Sequence, residues 1–124
     1  MTNSMFKLGI AALLLVQCCA QAWQHYVGDE NGWVPDFDYT PWVKKQFLLV
    51  GDTLVFVPTS VDHNVVEVFD KYHYQNCDGS NGRVWGHNEG VEVTLKTAGV
   101  HYFISTINQD CRRGMAIAVQ VNPQ

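Results

Sequence analysis

The sequence predicts an all-β fold, a Greek-key sandwich of about seven to eight short strands, and three observations carry that prediction. Val91, Val93 and Leu95 alternate with Glu92 and Thr94, the period-2 pattern of a strand with one buried face. Met115, Ile117, Val119 and Val121 repeat the alternation near the C-terminus, with the small residues Ala116 and Ala118 between them. Glycines at 28, 32, 51, 79, 82, 86, 90, 99 and 114 punctuate the chain among the strand candidates, as turn residues do.

Taken in order, strands are expected over residues 24–27, 53–57, 65–69, 91–95, 100–105 and 115–121. Two short helices fit residues 40–46 and 69–76, the second running into Cys77. Trp85 lies in a glycine-flanked stretch that reads as a turn. It is either a partly exposed contact for sugar or protein or a buried edge residue. Repeats, linkers and low-complexity segments are missing from the sequence, so it reads as one domain.

Residues 1–22 read as a secretory signal. Lys7 supplies the positive start, residues 8–16 the apolar stretch, and Ala20-Gln21-Ala22 a small-residue cleavage site, the three parts such signals share. The apolar run is far short of the ~20 residues a membrane-spanning helix needs. Cleavage after Ala22 would leave a domain over residues 23–124, enough for one small core. Of the charged side chains only Lys7 precedes residue 23, so that domain holds 7 basic and 12 acidic residues, net −5. A nucleic-acid partner would need a clustered basic face. Arg112-Arg113 and Lys44-Lys45 are the basic pairs, and both read as solvated surface. The chain carries no Asn-x-Ser/Thr acceptor and ends without the spacer and apolar tail of a lipid-anchor signal, so neither Asn-linked glycan nor a membrane anchor is expected.

Several separated motifs occur in order: VGDENGW from Val27 to Trp33, YTPW from Tyr39 to Trp42, VGDTLVF from Val50 to Phe56, DHNVVEV from Asp62 to Val68, and Tyr102-Phe103-Ile104 before a loop that ends at Met115. Together they resemble the phytocyanins, the plant-specific branch of the cupredoxins. Alternating hydrophobicity alone would fit an immunoglobulin-like sandwich equally well; the motif order favours the cupredoxin type. The resemblance assigns Trp33, Trp42, Phe56 and Phe103 to the core, where they most simply pack, and places a disulfide between Cys77 and Cys111. The cysteine count agrees, because Cys18 and Cys19 fall in the expected signal and two cysteines remain for an oxidising compartment.

The same resemblance sets four copper-ligand positions: His63, Ser105, Asp110 and Met115. In the family a cysteine stands at the position of Ser105 and a second histidine at that of Asp110. Type 1 copper is held by two imidazoles, a thiolate and a weak axial ligand. A serine hydroxyl stays protonated at neutral pH and binds copper poorly, and a carboxylate is a hard donor where imidazole is wanted. No cofactor is therefore expected, although copper is the family cofactor. His63 with Asp110 could at most hold a hard or borderline ion weakly. The more economical reading pairs His63 with Asp110 by a hydrogen bond, and Met115 packs.

His101 lies four residues before Ser105, about 13 Å along a strand at ~3.3 Å per residue, too far to complete the site. His73 and His87 fall in the region around Cys77, and His25 reads as surface. Glu67, Glu89 and Glu92 read as solvated strand or turn carboxylates. Neither a Ser-His-Asp arrangement on a recognisable elbow, a phosphate loop nor zinc spacing is visible, so an enzyme is not expected.

Loss of the thiolate and second imidazole is typical of the early nodulin-like group within the phytocyanins, while a signal followed by a bare domain looks like the plantacyanins. The resemblance implies a secreted protein of the apoplast without a functional type 1 copper site, with the outer plasma-membrane surface as the alternative, that contacts an extracellular protein or cell-wall glycan as a monomer. A blue-copper electron carrier is the competing reading, and a redox-silent metal buffer the third.

Overall fold

A computed structural model describes residues 21–124; the expected secretory signal lies outside the described residues except for Gln21 and Ala22. The strands are β1 (Gln24–Tyr26), β2 (Leu48–Leu49), β3 (Thr53–Phe56), β4 (Asn64–Val68), β5 (Arg83–His87), β6 (Val91–Thr94), β7 (Gly99–Ile104) and β8 (Ala116–Asn122), with two short helices, α1 (Thr40–Lys44) and α2 (Lys71–Gln75). They form a three-stranded sheet in the order β1-β3-β6 and a five-stranded sheet in the order β2-β8-β7-β4-β5. The β1–β3 and β2–β8 pairings are parallel and the others antiparallel. Sandwiches of this kind bury the inner face of each sheet against the other.

The alternating strands behave as their patterns dictate. In β6, Val91 and Val93 are buried while Glu92 and Thr94 are exposed. In β8, Ile117, Val119 and Val121 are buried, and Ala116 and Ala118 occupy the opposite face. The main core between the sheets gathers Leu54, Phe56, Val65, Val93, Phe103, Ile117 and Val119 around Trp33. Trp33 meets Phe56 edge-on with ring centroids 5.0 Å apart, a favoured aromatic geometry. Its indole N–H donates to the Asn64 carbonyl at 2.9 Å, so the bulkiest core residue also fixes the start of β4. Gly32, at φ 70°, lets the chain reach this point: a Cβ there would stand 2.5 Å from the Val57 carbonyl oxygen.

β4 is buried along its whole length because both faces are covered. Val65 faces the main core. Val66 and Val68 face a second cluster with Ile104 and Cys111, roofed by Tyr74, Tyr102 and Cys77. The Cys77–Cys111 disulfide closes this outer layer across 34 residues, with Cα atoms 5.8 Å apart. α2 leads into it from an N-cap, Asp70, whose carboxylate accepts from the His73 amide, a standard way to satisfy a free helical N–H.

The helices are shorter than the sequence suggests, and β2 and β5 are additional strands. β2 has two residues and no room to show a period. β5 contains Gly86 and is interrupted by an irregularity opposite Val65/Val66, which hides its alternation. Trp85 therefore sits on a strand and not in a turn. It is half-buried, with Arg83 stacked 3.8 Å over its ring. Two polar residues also differ from expectation. Glu67 is buried, because Trp85 and His101 cover and satisfy it. His25 is drawn off the surface by Asp52 and Gln46, at 2.9 and 3.0 Å.

Candidate functional site

The site lies at one end of the sandwich, where the loop entering β4 meets the loop from β7 to β8. His63 immediately precedes β4, Ser105 immediately follows β7, Asp110 sits in the intervening turn, and Met115 immediately precedes β8. All four are buried, with exposures of 7%, 0%, 5% and 0%. The fold thus assembles the four positions that motif spacing singles out.

Local hydrogen bonds shape the loop. The Ser105 amide donates to the Met115 carbonyl at 3.1 Å, the Asp110 amide to Ile107 at 3.0 Å, and the Met115 amide to Asp110 at 2.9 Å. Gly114 adopts φ 93°, a conformation costly for other residues, and turns the chain back towards Met115. Asn64 ties this loop to β4: its side chain donates to Thr106 Oγ1 at 2.8 Å and accepts from the Thr106 amide at 2.7 Å. Asn88 braces the other side. Its Oδ1 accepts from the amides of Asp62 and His63, and its own amide donates to the His63 carbonyl at 2.8 Å.

Inside this frame the polar groups satisfy one another. His63 Nδ1 lies 2.7 Å from Asp110 Oδ2, and Ser105 Oγ donates to the same oxygen at 2.8 Å. His63 Nε2 lies 2.8 Å from Ser60 Oγ. The His63–Asp110 pairing expected from chemistry is present, and Ser105 joins it. Ser60, Asn64 and Asn88 are the functional neighbours that sequence reasoning missed. The proximity of Ser60 to His63 in sequence was a usable signal for the first, while Asn64 and Asn88 needed knowledge of the strand pairing. No Ser-His-Asp elbow is visible in the sequence, yet folding brings Asp110 to His63 across 47 residues, with Ser60 at the other ring nitrogen.

The other histidines are elsewhere. His101 Nδ1 lies 3.0 Å from Glu67 Oε2 and its Nε2 lies 2.8 Å from the Thr97 carbonyl. The hydrogen bond to Glu67 holds the His101 pKa above the ordinary histidine value, against the opposing effect of burial. His73 of α2 pairs with Asp70, the helix N-cap, and its hydrogen bond to that carboxylate raises its pKa. His87 is exposed on β5. Among the described residues, no helix is long and apolar enough to cross a membrane.

A sandwich with this sheet order, disulfide and loop defines a cupredoxin-type domain. A family model described as a plastocyanin-like domain matches residues 33–115. Uclacyanin-3 of Arabidopsis thaliana is 38% identical over 77% of this chain and 42% of its own length. Early nodulin-like protein 7 of Arabidopsis thaliana is 33% identical over 96% of this chain and 64% of its own length. The chain therefore spans less than two thirds of either relative. The solved structure of cucumber stellacyanin with Cu2+ is 28% identical, with a TM-score of 0.78 over 85% of this chain and 99% of that one. The chain belongs to the plastocyanin-like (phytocyanin) family, whose relatives include early nodulin-like proteins.

The family is a copper-binding one, and the residues present can be tested against a type 1 ion. Such a site uses a thiolate to support both copper oxidation states in one geometry. Here a hydroxyl stands at that position, and the two cysteines of the described residues are joined to each other. Nδ1 of His63 already pairs with Asp110. Among the described residues, no three His, Cys, Asp or Glu side chains group in a metal-holding arrangement. This donor set does not fit type 1 copper.

Proposed function

We propose that this domain is a secreted, non-enzymatic phytocyanin that acts in the apoplast or at the cell surface through contacts with an extracellular protein or cell-wall glycan, without carrying electrons. The observation that supports this reading is the hydrogen-bonded set Ser105–Asp110–His63 at the positions of the ligands. These groups satisfy one another, so their burial carries no requirement for a metal. Electron transfer would lack the soft sulfur donor that makes it fast. A binding role keeps the family scaffold and asks nothing of that centre.

Titrating the purified oxidised domain with Cu(II) tests the electron-transfer part. The expected outcome is no intense visible charge-transfer band. An intense band that bleaches on reduction would establish the electron carrier, and weak colourless binding lost in His63→Ala would establish a redox-silent metal buffer. Secretion is tested by sequencing the N-terminus of protein exported from plant cells, expected at Trp23. Retention on cell-wall glycan columns, or capture of one extracellular protein at saturable stoichiometry, tests the binding role.

A further inference from the structure

The buried His63–Asp110 pair has a third member on its solvent side. Ser60 Oγ lies 2.8 Å from His63 Nε2, while Nδ1 of the same ring lies 2.7 Å from Asp110 Oδ2. A carboxylate only accepts hydrogen bonds, so in the neutral ring Nδ1 carries the proton and Nε2 turns its lone pair to the Ser60 hydroxyl. Ser105 Oγ donates to the same carboxylate oxygen at 2.8 Å and holds it in this orientation. Serine, imidazole and carboxylate therefore stand in the order, and with the polarity, that makes a serine hydroxyl nucleophilic.

Accessibility agrees with that chemistry. His63 and Asp110 are 7% and 5% exposed, so the base and its orienting group are shielded, while Ser60 is exposed. The base is also fixed in place, since Asn88 binds the backbone of His63 through both its amide and its side chain. Ser80 supplies an internal contrast. It too is exposed, but its hydroxyl donates directly to the Asp78 carboxylate at 2.6 Å, with no imidazole between them to take a proton.

We propose that Ser60 is an acyl-acceptor site for carboxylic esters, with His63 as its general base and Asp110 as the residue that positions the ring. Ser60 Oγ bonds to the ester carbonyl carbon, and the bond from that carbon to the alkoxy oxygen breaks. The hydroxyl proton passes to His63 Nε2 and from there to the departing oxygen, leaving acyl-serine and free alcohol. No redox partner is required. The product is a single covalent capture, not turnover, and it does not depend on the binding role proposed above.

The test treats the folded, disulfide-bonded domain with p-nitrophenyl acetate, follows release of p-nitrophenolate, and locates the acetyl group by peptide mass mapping. Acetylation is expected on Ser60 ahead of Ser80, and Ser60→Ala should remove the rapid phase while unfolding normally. His63→Gln should slow acetylation of Ser60 by about a hundredfold or more, the usual contribution of a positioned base. The wild-type domain unfolded in denaturant gives the same comparison without a variant, and its Ser60 should react at the rate of Ser80. Equal rates for Ser60 and Ser80 in the folded domain would overturn the proposal, as would a His63→Gln protein that is folded and acetylated at the wild-type rate.

Discussion

The two ends of β4 carry the same kind of polar pair, and the difference between them is instructive. At one end His63 meets Asp110, and at the other Glu67 meets His101. Glu67 lies four residues beyond His63, about 13 Å at ~3.3 Å per residue. The Asp110 pair is nearly sealed, with a second hydroxyl, Ser105, on the carboxylate. The Glu67 pair uses the Trp85 indole N–H at 3.1 Å and the Thr97 carbonyl at 2.8 Å as its outer partners. It thereby joins β5, β4 and β7 to the segment before β7. The first pair occupies positions that the motif resemblance equates with metal ligands. The second is a cross-strand fastening with no such history in the motif pattern. Identical functional groups can thus mark a remodelled site or simple architecture, and only their location separates the two.

The largest effect should come from restoring the ligand set. Ser105→Cys combined with Asp110→His leaves His63 and Met115 in position, and the double variant should bind Cu(II) with an intense visible band that neither the parent nor the Glu67 end shows. A folded double variant with an intact disulfide and no colour would show that the surroundings of the site have changed as well. Next in size, Cys77→Ser should lower stability by about 3 kcal/mol, as loss of a loop-closing bridge does in small domains. Chemical denaturation measures this, and an unchanged midpoint would mean that α2 and the loop after Asp110 hold together without it.

Asp110→Ala leaves His63 Nδ1 and Ser105 Oγ buried without their partner, and should cost about 2–3 kcal/mol. Glu67→Gln should cost less, because an amide can still accept from Trp85 or His101. If the two variants proved equally destabilising, the asymmetry drawn between the two ends would fall.

The smallest effect concerns pH. His101 has a raised pKa in the folded state, caused first by its hydrogen bond to Glu67. Folding therefore favours protonated His101. That contribution is fully present below the unfolded histidine value of about 6.5 and is lost as pH rises through the folded value. Thermal unfolding between about pH 6 and about pH 9 should show this decline, and Glu67→Gln should flatten the part due to His101. A parent and variant with parallel pH curves would remove Glu67 as the cause.

Much of the architecture was legible in short segments. The alternation of Val91, Val93 and Leu95 placed β6, and the run from Ile117 to Val121 placed β8, because a strand with one wet face must repeat every second residue. β2 and β5 were not legible, since two residues carry no period and Gly86 interrupts the other. Motif spacing singled out His63, Ser105, Asp110 and Met115, which the fold buries at one end of the sandwich. The burial of Glu67 was not: its partners lie 18 and 34 residues away, and a glutamate in an alternating stretch looks the same whether or not an indole and an imidazole will reach it.

The amino-acid sequence by itself determined what donors stand at the ligand positions, since replacing sulfur with a hydroxyl and imidazole with a carboxylate is a matter of residue identity. It also supplied the alternation from which the two sheets are built. Only the tertiary structure decided what those donors do instead: Asp110 accepts from both His63 and Ser105, and Ser60 comes to the free face of His63. Hydrogen bonds act over about 3 Å, and residues 60, 63, 105 and 110 come within that distance only when the loops at the end of the sandwich have closed.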